Sequence, residues 1–187
     1  MPKLILVKHS QPQIDPLMPA REWHLSEEGR LRCLPLADQL ALYEPDVIVA
    51  STEPKALETA RIVAERLDKP FEVAERLHEH DRSNVAFYSP QVFDAAIATF
   101  FQKPGELVLG RETAWQAQER FSKAVENVLE KYKDKNVGIV AYGTVITLFV
   151  AAHAAIEPFA FWKQLGLPSF VVMGCPEMEV VEVIIQA

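Results

Sequence analysis

The segment LILVKHSQP (residues 4–12) runs from four apolar residues directly into a cation, an imidazole and a hydroxyl. Two further segments, DVIVAS (residues 46–51) and NVGIVAY (residues 136–142), are also short, apolar on both faces and bounded by polar residues. Segments of this kind are typical of strands in a parallel sheet that helices cover on both sides. The three segments therefore predict the central strands of an α/β fold.

Helical patterns alternate with these strands. The clearest runs from Glu112 to Tyr132, where apolar side chains recur along one stripe. A second covers residues 26–43, where Pro35 must kink the helix or delay its start. Residues 55–67 and 144–155 have the same pattern. The alternation predicts a single domain, residues 1–187, built as a three-layer α/β/α sandwich with a mostly parallel central sheet.

The end of the chain and one long connection are less regular. SFVVM (residues 169–173) and EVVEVII (residues 179–185) are predicted to be strands that could pair as an antiparallel hairpin. Residues 78–104 are predicted to form a loop region with a short helix at residues 90–102.

Composition limits the possible partners. A chain of 187 residues with 49% hydrophobic residues and a net charge of -7 is typical of a globular protein, and it argues against nucleic acid or an anionic membrane as the main partner. The two cysteines form no CxxC pair, which fits a reducing cytosol, although one distant disulfide stays possible. Without a signal-peptide pattern or a long apolar run, we expect a cytoplasmic protein. The oligomeric state is left open.

Polar residues follow each of the three predicted central strands. They are Lys8-His9-Ser10, then Lys55 at the start of the next helix, then Tyr142-Gly143-Thr144. Ligands of open α/β sheets bind outside the carboxyl ends of the strands, and helix N-termini bind phosphate. Two cations, two helix starts and an imidazole at one edge predict a phosphate site that contains a nucleophile or a base.

Each of these residues also has a purely structural interpretation. His9 could be an ordinary loop residue, Lys55 a surface charge, and Tyr142 a core residue with a hydrogen-bonded hydroxyl. Their shared position at the strand ends favours the site. The segment His78-Glu79-His80-Asp81 could suggest a metal, but without an HExxH spacing or cysteine partners it is more typical of a polar loop. Motifs for nucleotide cofactors or a serine nucleophile are absent.

Six segments resemble the histidine phosphatase superfamily, in its phosphoglycerate mutase-like branch. The family opens with a strand that ends in Arg-His-Gly, where this chain has LVKHSQP, and it closes with a strand that ends in His-Gly, where this chain has VAYGTVI. The other resembling segments, in chain order, are LSEEG (residues 25–29), STEPKALETA (residues 51–60), GRETAWQAQER (residues 110–120) and, after VAYGTVI, LGLPSF (residues 165–170).

The resemblance implies a phosphoglycerate mutase-like fold and a mechanism. His9 would attack a phosphorylated small molecule to form a phosphohistidine, and Glu79 would protonate the leaving alcohol. No metal or other cofactor would be required, because side-chain cations supply the charge. The phosphate would lie among the other strand-end residues, which are Lys8, Ser10, Lys55, Tyr142, Gly143 and Thr144.

The chain departs from the family pattern at four positions of this site. Lys8 and Lys55 replace arginines and lose the planar fork that binds two oxygens at once. Ser10 replaces a glycine, and Tyr142 replaces a histidine with a phenol that carries no positive charge. Two functions related to the family therefore stay open, and a third possibility is a function unrelated to it. Retention of His9 favours a phosphatase with weak or altered activity. Replacement of the other four residues favours an inactive relative that binds a phosphorylated ligand or a protein partner.

Overall fold

A computed structural model describes all of residues 1–187. Its strands are β1 (Lys3–Lys8), β2 (Val47–Ala50), β3 (Phe71–Val73), β4 (Val137–Ala141), β5 (Ser169–Gly174) and β6 (Glu179–Ile184). Its α-helices are α1 (Glu27–Leu40), α2 (Pro54–Leu67), α3 (Pro90–Gln102), α4 (Ala114–Lys131), α5 (Gly143–His153) and α6 (Pro158–Gln164). Two short 3-10 helices cover Ala20–Glu22 and Ala41–Tyr43.

The six strands form one sheet in the order β3-β2-β4-β1-β5-β6. The first four are parallel to one another, β5 is antiparallel to β1, and β6 is antiparallel to β5. Every residue of β2, β4 and β5 is buried, as expected for strands with helices on both faces. The predicted α/β fold with a mostly parallel sheet and the C-terminal hairpin are confirmed.

Most helices begin and end close to their predicted bounds. α3 has the predicted bounds, and α4 begins after Thr113, which forms a capping box with Gln116. Pro35 neither delays α1 nor ends it. Pro35 has no N–H to donate to the Leu31 carbonyl one turn earlier. Leu31 is exposed, so water can bond that carbonyl instead. The hydrophobic pattern of the sequence did not predict β3 or α6, which have only three and seven residues.

One cluster of 35 buried apolar residues spans the sheet and the helices packed on it, and a cluster of seven lies under α3. The larger cluster fixes the central strands, so their carboxyl ends are held rigidly at one edge. No helix is both long enough and apolar enough to cross a bilayer.

The start of α1 packs closely on the segment that follows β1. Ser26 caps the helix, because its hydroxyl accepts the Gly29 N–H at 2.9 Å while its own N–H donates to the Gln11 carbonyl at 3.0 Å. A Cβ on Gly29 would lie 2.0 Å from the Gln11 oxygen. The glycine of the LSEEG segment is therefore required by this close approach of two backbones.

Gly29→Ala should lower the free energy of unfolding by about 1–3 kcal/mol, because the backbone contact must open to admit the methyl group. Gly174→Ala is the matched control, since its Cβ would meet its nearest atom at 3.5 Å, an ordinary contact. Urea unfolding of both variants measures the difference. Equal stability of the two would contradict the close approach at Gly29.

Candidate active site

The site lies where the three central parallel strands end. β4 lies between β1 and β2, and the ladder continues past the strand ends: the His9 N–H donates to the Ala141 carbonyl and the Ser51 N–H donates to the Val140 carbonyl, both at 3.1 Å. This register brings the His9 ring to 5.4 Å from the Tyr142 ring, measured between centroids. Residues that are far apart in sequence therefore share one edge.

Ser10 fixes the chain directly after β1. Its N–H donates to Thr59 Oγ1 of α2 at 3.0 Å, and its hydroxyl donates to the Gly29 carbonyl of α1 at 2.7 Å. The residue has no exposed surface. Both of its donors are therefore used inside the protein, and the geometry does not support the phosphate-binding role predicted for Ser10.

His9 is oriented by the carbonyl of Ser10, which lies 2.7 Å from its Nδ1. A carbonyl can only accept, so Nδ1 carries the proton and Nε2 keeps a lone pair. Burial, together with the positive charges of Lys55 and Lys8, lowers the pKa of His9 to about 3, although the bond to Ser10 opposes the shift. The imidazole is therefore neutral at physiological pH, which is the form of a nucleophile.

Both lysines of the site already bind protein acceptors. Lys8 Nζ donates to the Leu165 carbonyl at 2.7 Å, and burial lowers the pKa of Lys8 to about 8 against the opposing charge of Glu79. Lys55 Nζ donates to the Ala20 carbonyl at 2.7 Å and lies 5.0 Å from the centroid of the Tyr142 ring. A phosphate would have to share or displace these acceptors.

Glu53 is a site residue that the sequence analysis missed. Its Oε2 lies 2.8 Å from Lys55 Nζ, and both side chains are nearly buried. The available signal was a carboxylate two residues before a lysine at a strand end. Glu53 neutralises much of the charge that Lys55 would offer to an anion.

Tyr142 is almost completely buried, and its hydroxyl has no hydrogen-bond partner. The buried ring fits the alternative interpretation of a core tyrosine, whereas the hydroxyl, although close to Ser51 and the Glu53 backbone, makes no hydrogen bond of ordinary geometry. Burial raises the pKa of the phenol well above its ordinary value, so Tyr142 is a neutral donor. The hydroxyls of Ser51 and Thr144 at the same edge are also buried and unpaired. An unpaired buried donor costs about 1–3 kcal/mol, which an oxyanion ligand would relieve.

Glu79 reaches the start of α5. Its Oε2 accepts the Thr144 N–H at 3.2 Å, and its Oε1 accepts the His80 N–H at 2.8 Å. The negative charge lies at a helix N-terminus, where the dipole stabilises it. The structure therefore brings Glu79 to the same edge as Lys8 and Thr144.

The loop that carries Glu79 is held by Arg120 of α4. This buried guanidinium donates to the carbonyls of Arg76, His78 and Glu79 at 2.8–3.2 Å, and it is paired with Glu112 at 2.6 Å. The segment GRETAWQAQER therefore positions the loop and does not itself enter the site.

Two more side chains that the sequence analysis missed lie beside this loop and α5. Arg82 Nη2 is 3.8 Å from Glu79 Oε2. Trp162 of α6 lies beside Gly143, where a Cβ would be 3.4 Å from both Trp162 Nε1 and Lys8 Nζ. Gly143 thus leaves room for a lysine and an indole N–H at the helix start. Neither residue belongs to a strand end, so the strand-end pattern could not reveal them.

The His78-Glu79-His80-Asp81 segment is used in backbone contacts. His78 Nδ1 lies 2.9 Å from the Glu79 carbonyl, and His80 Nε2 lies 2.9 Å from the Glu112 carbonyl. No group of three His, Cys, Asp or Glu side chains is arranged to hold a metal ion. Cys33 and Cys175 are both free thiols.

The access from solvent to the imidazole of His9 is narrow. The 3-10 helix Ala20–Glu22 contacts Lys55 through the Ala20 carbonyl. The ring of Trp23 lies 6.5 Å from the ring of Phe87, so the loop after β1 and the loop after Glu79 approach each other. Only 7% of the His9 surface is exposed. A ligand must therefore be small at the end that reaches the imidazole.

Anion binding here should weaken as pH rises through about 8, because Lys8 then loses its charge. Sulfate is a suitable probe, since it stays a dianion from pH 6 to 10. At constant ionic strength its dissociation constant should rise about tenfold between pH 7 and 9, and Lys8→Arg should remove the rise. A dissociation constant in the unmodified protein that is constant over this range would contradict the involvement of Lys8.

Comparisons with known proteins agree with this fold. The fold is similar to mycobacterial glucosyl-3-phosphoglycerate phosphatase in complex with VO3, at 19% identity and a TM-score of 0.76 over 98% of this chain and 97% of the other. It is similar to Entamoeba histolytica phosphoserine phosphatase in complex with 3-phosphoglyceric acid, at 18% identity and a TM-score of 0.79 over 98% and 97% of the two chains.

Bacillus stearothermophilus YhfR has 22% identity to this chain and a TM-score of 0.76, with 98% of this chain and 95% of the other covered. These similarities concern the fold, and no curated protein matches the chain. A family model described as "Histidine phosphatase superfamily (branch 1)" matches residues 4–177, which confirms the resemblance seen in the sequence. The chain belongs to the histidine phosphatase superfamily.

Proposed function

We propose that this protein hydrolyses phosphomonoesters slowly, through a phosphohistidine on His9. The observation that carries the proposal is the state of this imidazole. Its Nδ1–H is bound to the Ser10 carbonyl, its pKa is lowered to about 3, and Nε2 therefore holds a lone pair at neutral pH.

The reaction would proceed in two displacements. In the first, the Nε2 lone pair of His9 attacks phosphorus, the ester P–O bond breaks, and the leaving oxygen takes a proton from the carboxyl group of Glu79. In the second, water attacks phosphorus and gives a proton to Glu79, the P–N bond breaks, and the electron pair returns to Nε2. Glu79 lies at the start of α5 close to Lys8, which places it beside the phosphate, and the charge of a bound phosphate dianion would favour the protonated form of its carboxyl group.

Stabilisation of the phosphoryl oxygens would come from several weak donors. Lys8 and Lys55 supply positive charge. The start of α5 supplies the backbone N–H of Gly143 and the unpaired hydroxyl of Thr144, and the hydroxyl of Tyr142 supplies a neutral donor. Phosphoryl transfer depends chiefly on positioning and charge, so this set can support the reaction without a metal.

The same set makes the reaction slow. The ammonium groups of Lys8 and Lys55 lack the arginine fork and already bind carbonyl oxygens, and Glu53 opposes the charge of Lys55. Removal of one preorganised donor typically reduces turnover by about 10²–10³, so several imperfect donors give a large combined loss.

The expected substrate is a phosphorylated small molecule of the cytoplasm. The narrow approach to His9 favours a compact phosphate ester, and two similar folds carry the names of phosphatases of small phosphorylated metabolites. The free thiols of Cys33 and Cys175 suit a reducing compartment. The net charge of -7 argues against nucleic acid as the substrate.

A second candidate is a protein that binds a phosphorylated ligand or a partner protein without catalysis. It is favoured by one observation: both lysines of the site are held by protein acceptors, and the neighbouring phenol of Tyr142 adds no charge. Such a pocket can bind a phosphate modestly while stabilising the transition state poorly.

Hydrolysis of an aryl phosphate tests the proposal. His9→Ala should reduce kcat/KM at least about 100-fold, because no other group lies ready to form the covalent intermediate. His153→Ala is the matched control, since it removes an exposed imidazole at the far end of α5 and should leave turnover unchanged. Activity that survives His9→Ala, or phosphate binding without any turnover, would reject catalysis by His9 and leave the binding function.

A further inference from the structure

Arg82 has an N–H group that nothing in the protein uses. Its Nη1 atom is buried and has no hydrogen-bond partner. A guanidinium stays charged at every physiological pH and offers five donors, so a buried, unpaired N–H on it is unfavourable. A group of this kind in a folded protein calls for an explanation, and an ion bound during function is one explanation.

The guanidinium is held in place at the edge of the site. It stacks over the ring of Phe93, 4.9 Å from the centroid, and its Nη2 lies 3.8 Å from Glu79 Oε2. That carboxylate oxygen accepts the Thr144 N–H at the start of α5. Arg82 therefore reaches the helix start that Lys8 and Gly143 also face.

Arg82 is also the least engaged cation at this edge. Lys55 is paired with Glu53 at 2.8 Å and Lys8 donates to a carbonyl at 2.7 Å, whereas the contact of Arg82 with Glu79 is beyond hydrogen-bond length. A planar guanidinium with a free N–H binds tetrahedral oxyanions better than an ammonium does.

We propose that Arg82 binds the phosphoryl group in this protein. It would supply, from the loop after Glu79, a guanidinium that the chain lacks at positions 8 and 55. A role for Arg82 in catalysis rests on the proposed function, but binding of the oxyanion by Arg82 can be tested without catalysis. The shared chemistry is a tetrahedral oxyanion, which can be the phosphoryl group itself or another anionic group of the substrate.

Binding of inorganic phosphate to Arg82→Gln and Arg82→Lys tests the inference. Arg82→Gln should weaken binding about tenfold or more, and Arg82→Lys should weaken it less, because lysine keeps the charge and loses the fork. Arg61→Gln is the matched control, since Arg61 also lies over an aromatic ring, Phe71, but on an exposed face of α2. Phosphate should bind this control as it binds the unmodified protein.

Thermal unfolding separates this role from a structural one. Because Nη1 has no partner in the protein, Arg82→Gln should leave the Tm of the free protein nearly unchanged and should abolish most of the rise in Tm that phosphate produces. If Arg82 acted only as an ion-pair partner of Glu79, the Tm would fall and phosphate binding would survive, which would overturn the inference. Failure of the unmodified protein to bind phosphate would also overturn it.

The aryl phosphate assay distinguishes the source of the oxyanion. Loss of inorganic phosphate binding together with a fall in kcat/KM assigns Arg82 to the phosphoryl group. Unchanged phosphate binding with a raised KM for esters that carry a second anionic group would assign it to the rest of the substrate and contradict the inference. Arg82→Gln could lose phosphate binding while His9→Ala keeps full hydrolytic activity. That result would reject the proposed function and leave the inference intact.

Discussion

The hydrogen bond between His9 Nδ1 and the carbonyl of Ser10 determines what the site can do. The carbonyl fixes the tautomer, and burial keeps the ring neutral, so the lone pair of Nε2 is available. The carbonyl is itself held because the Ser10 N–H and hydroxyl bind Thr59 and Gly29. The orientation of one imidazole thus depends on β1, α1 and α2 together, and through Gly29 on the close packing of α1 against Gln11.

Charge around this imidazole is balanced by the protein itself. Lys8, Lys55 and Arg82 face the carboxylates of Glu53 and Glu79, which leaves little excess positive charge in the free site. This internal pairing offsets the cost of nearly burying three cations in the free protein, because an isolated buried charge would be strongly unfavourable. Under the proposed function, a phosphate would compete with groups already in place, which would limit both its affinity and the stabilisation of the transition state.

Much of the fold and part of the site could be predicted from the sequence, for identifiable physical reasons. Apolar runs such as residues 4–7 specify buried strands, and the ends of parallel strands share one edge of a sheet, which is why the strand pattern correctly places His9 beside Tyr142. The sequence did not predict β3, because its three residues, none of them buried, are too few to show an alternating pattern. It did not predict α6, because seven residues make fewer than two full helical turns.

The remaining features of the site depend on side-chain directions that no pattern encodes. Ser10 was assigned to the phosphate because a sequence cannot show its hydroxyl meeting a carbonyl 19 residues away. Glu53 and Arg82 were missed because the role of each depends on the direction of its side chain, from a helix cap for Glu53 and from a loop for Arg82.

The most direct test of this account is the protonation state of His9, read by long-range ¹H–¹⁵N NMR and assigned through the signal that His9→Asn removes. We expect a proton on Nδ1 and none on Nε2 at pH 7, and a ring that stays neutral at pH 5 because its pKa is lowered to about 3. A proton on Nε2, or an imidazolium that forms near the ordinary histidine pKa of about 6.5, would contradict the account. In the first case Nε2 would lack the lone pair that the proposed phosphohistidine requires, and in the second the site would not keep the imidazole neutral by burial as the account states.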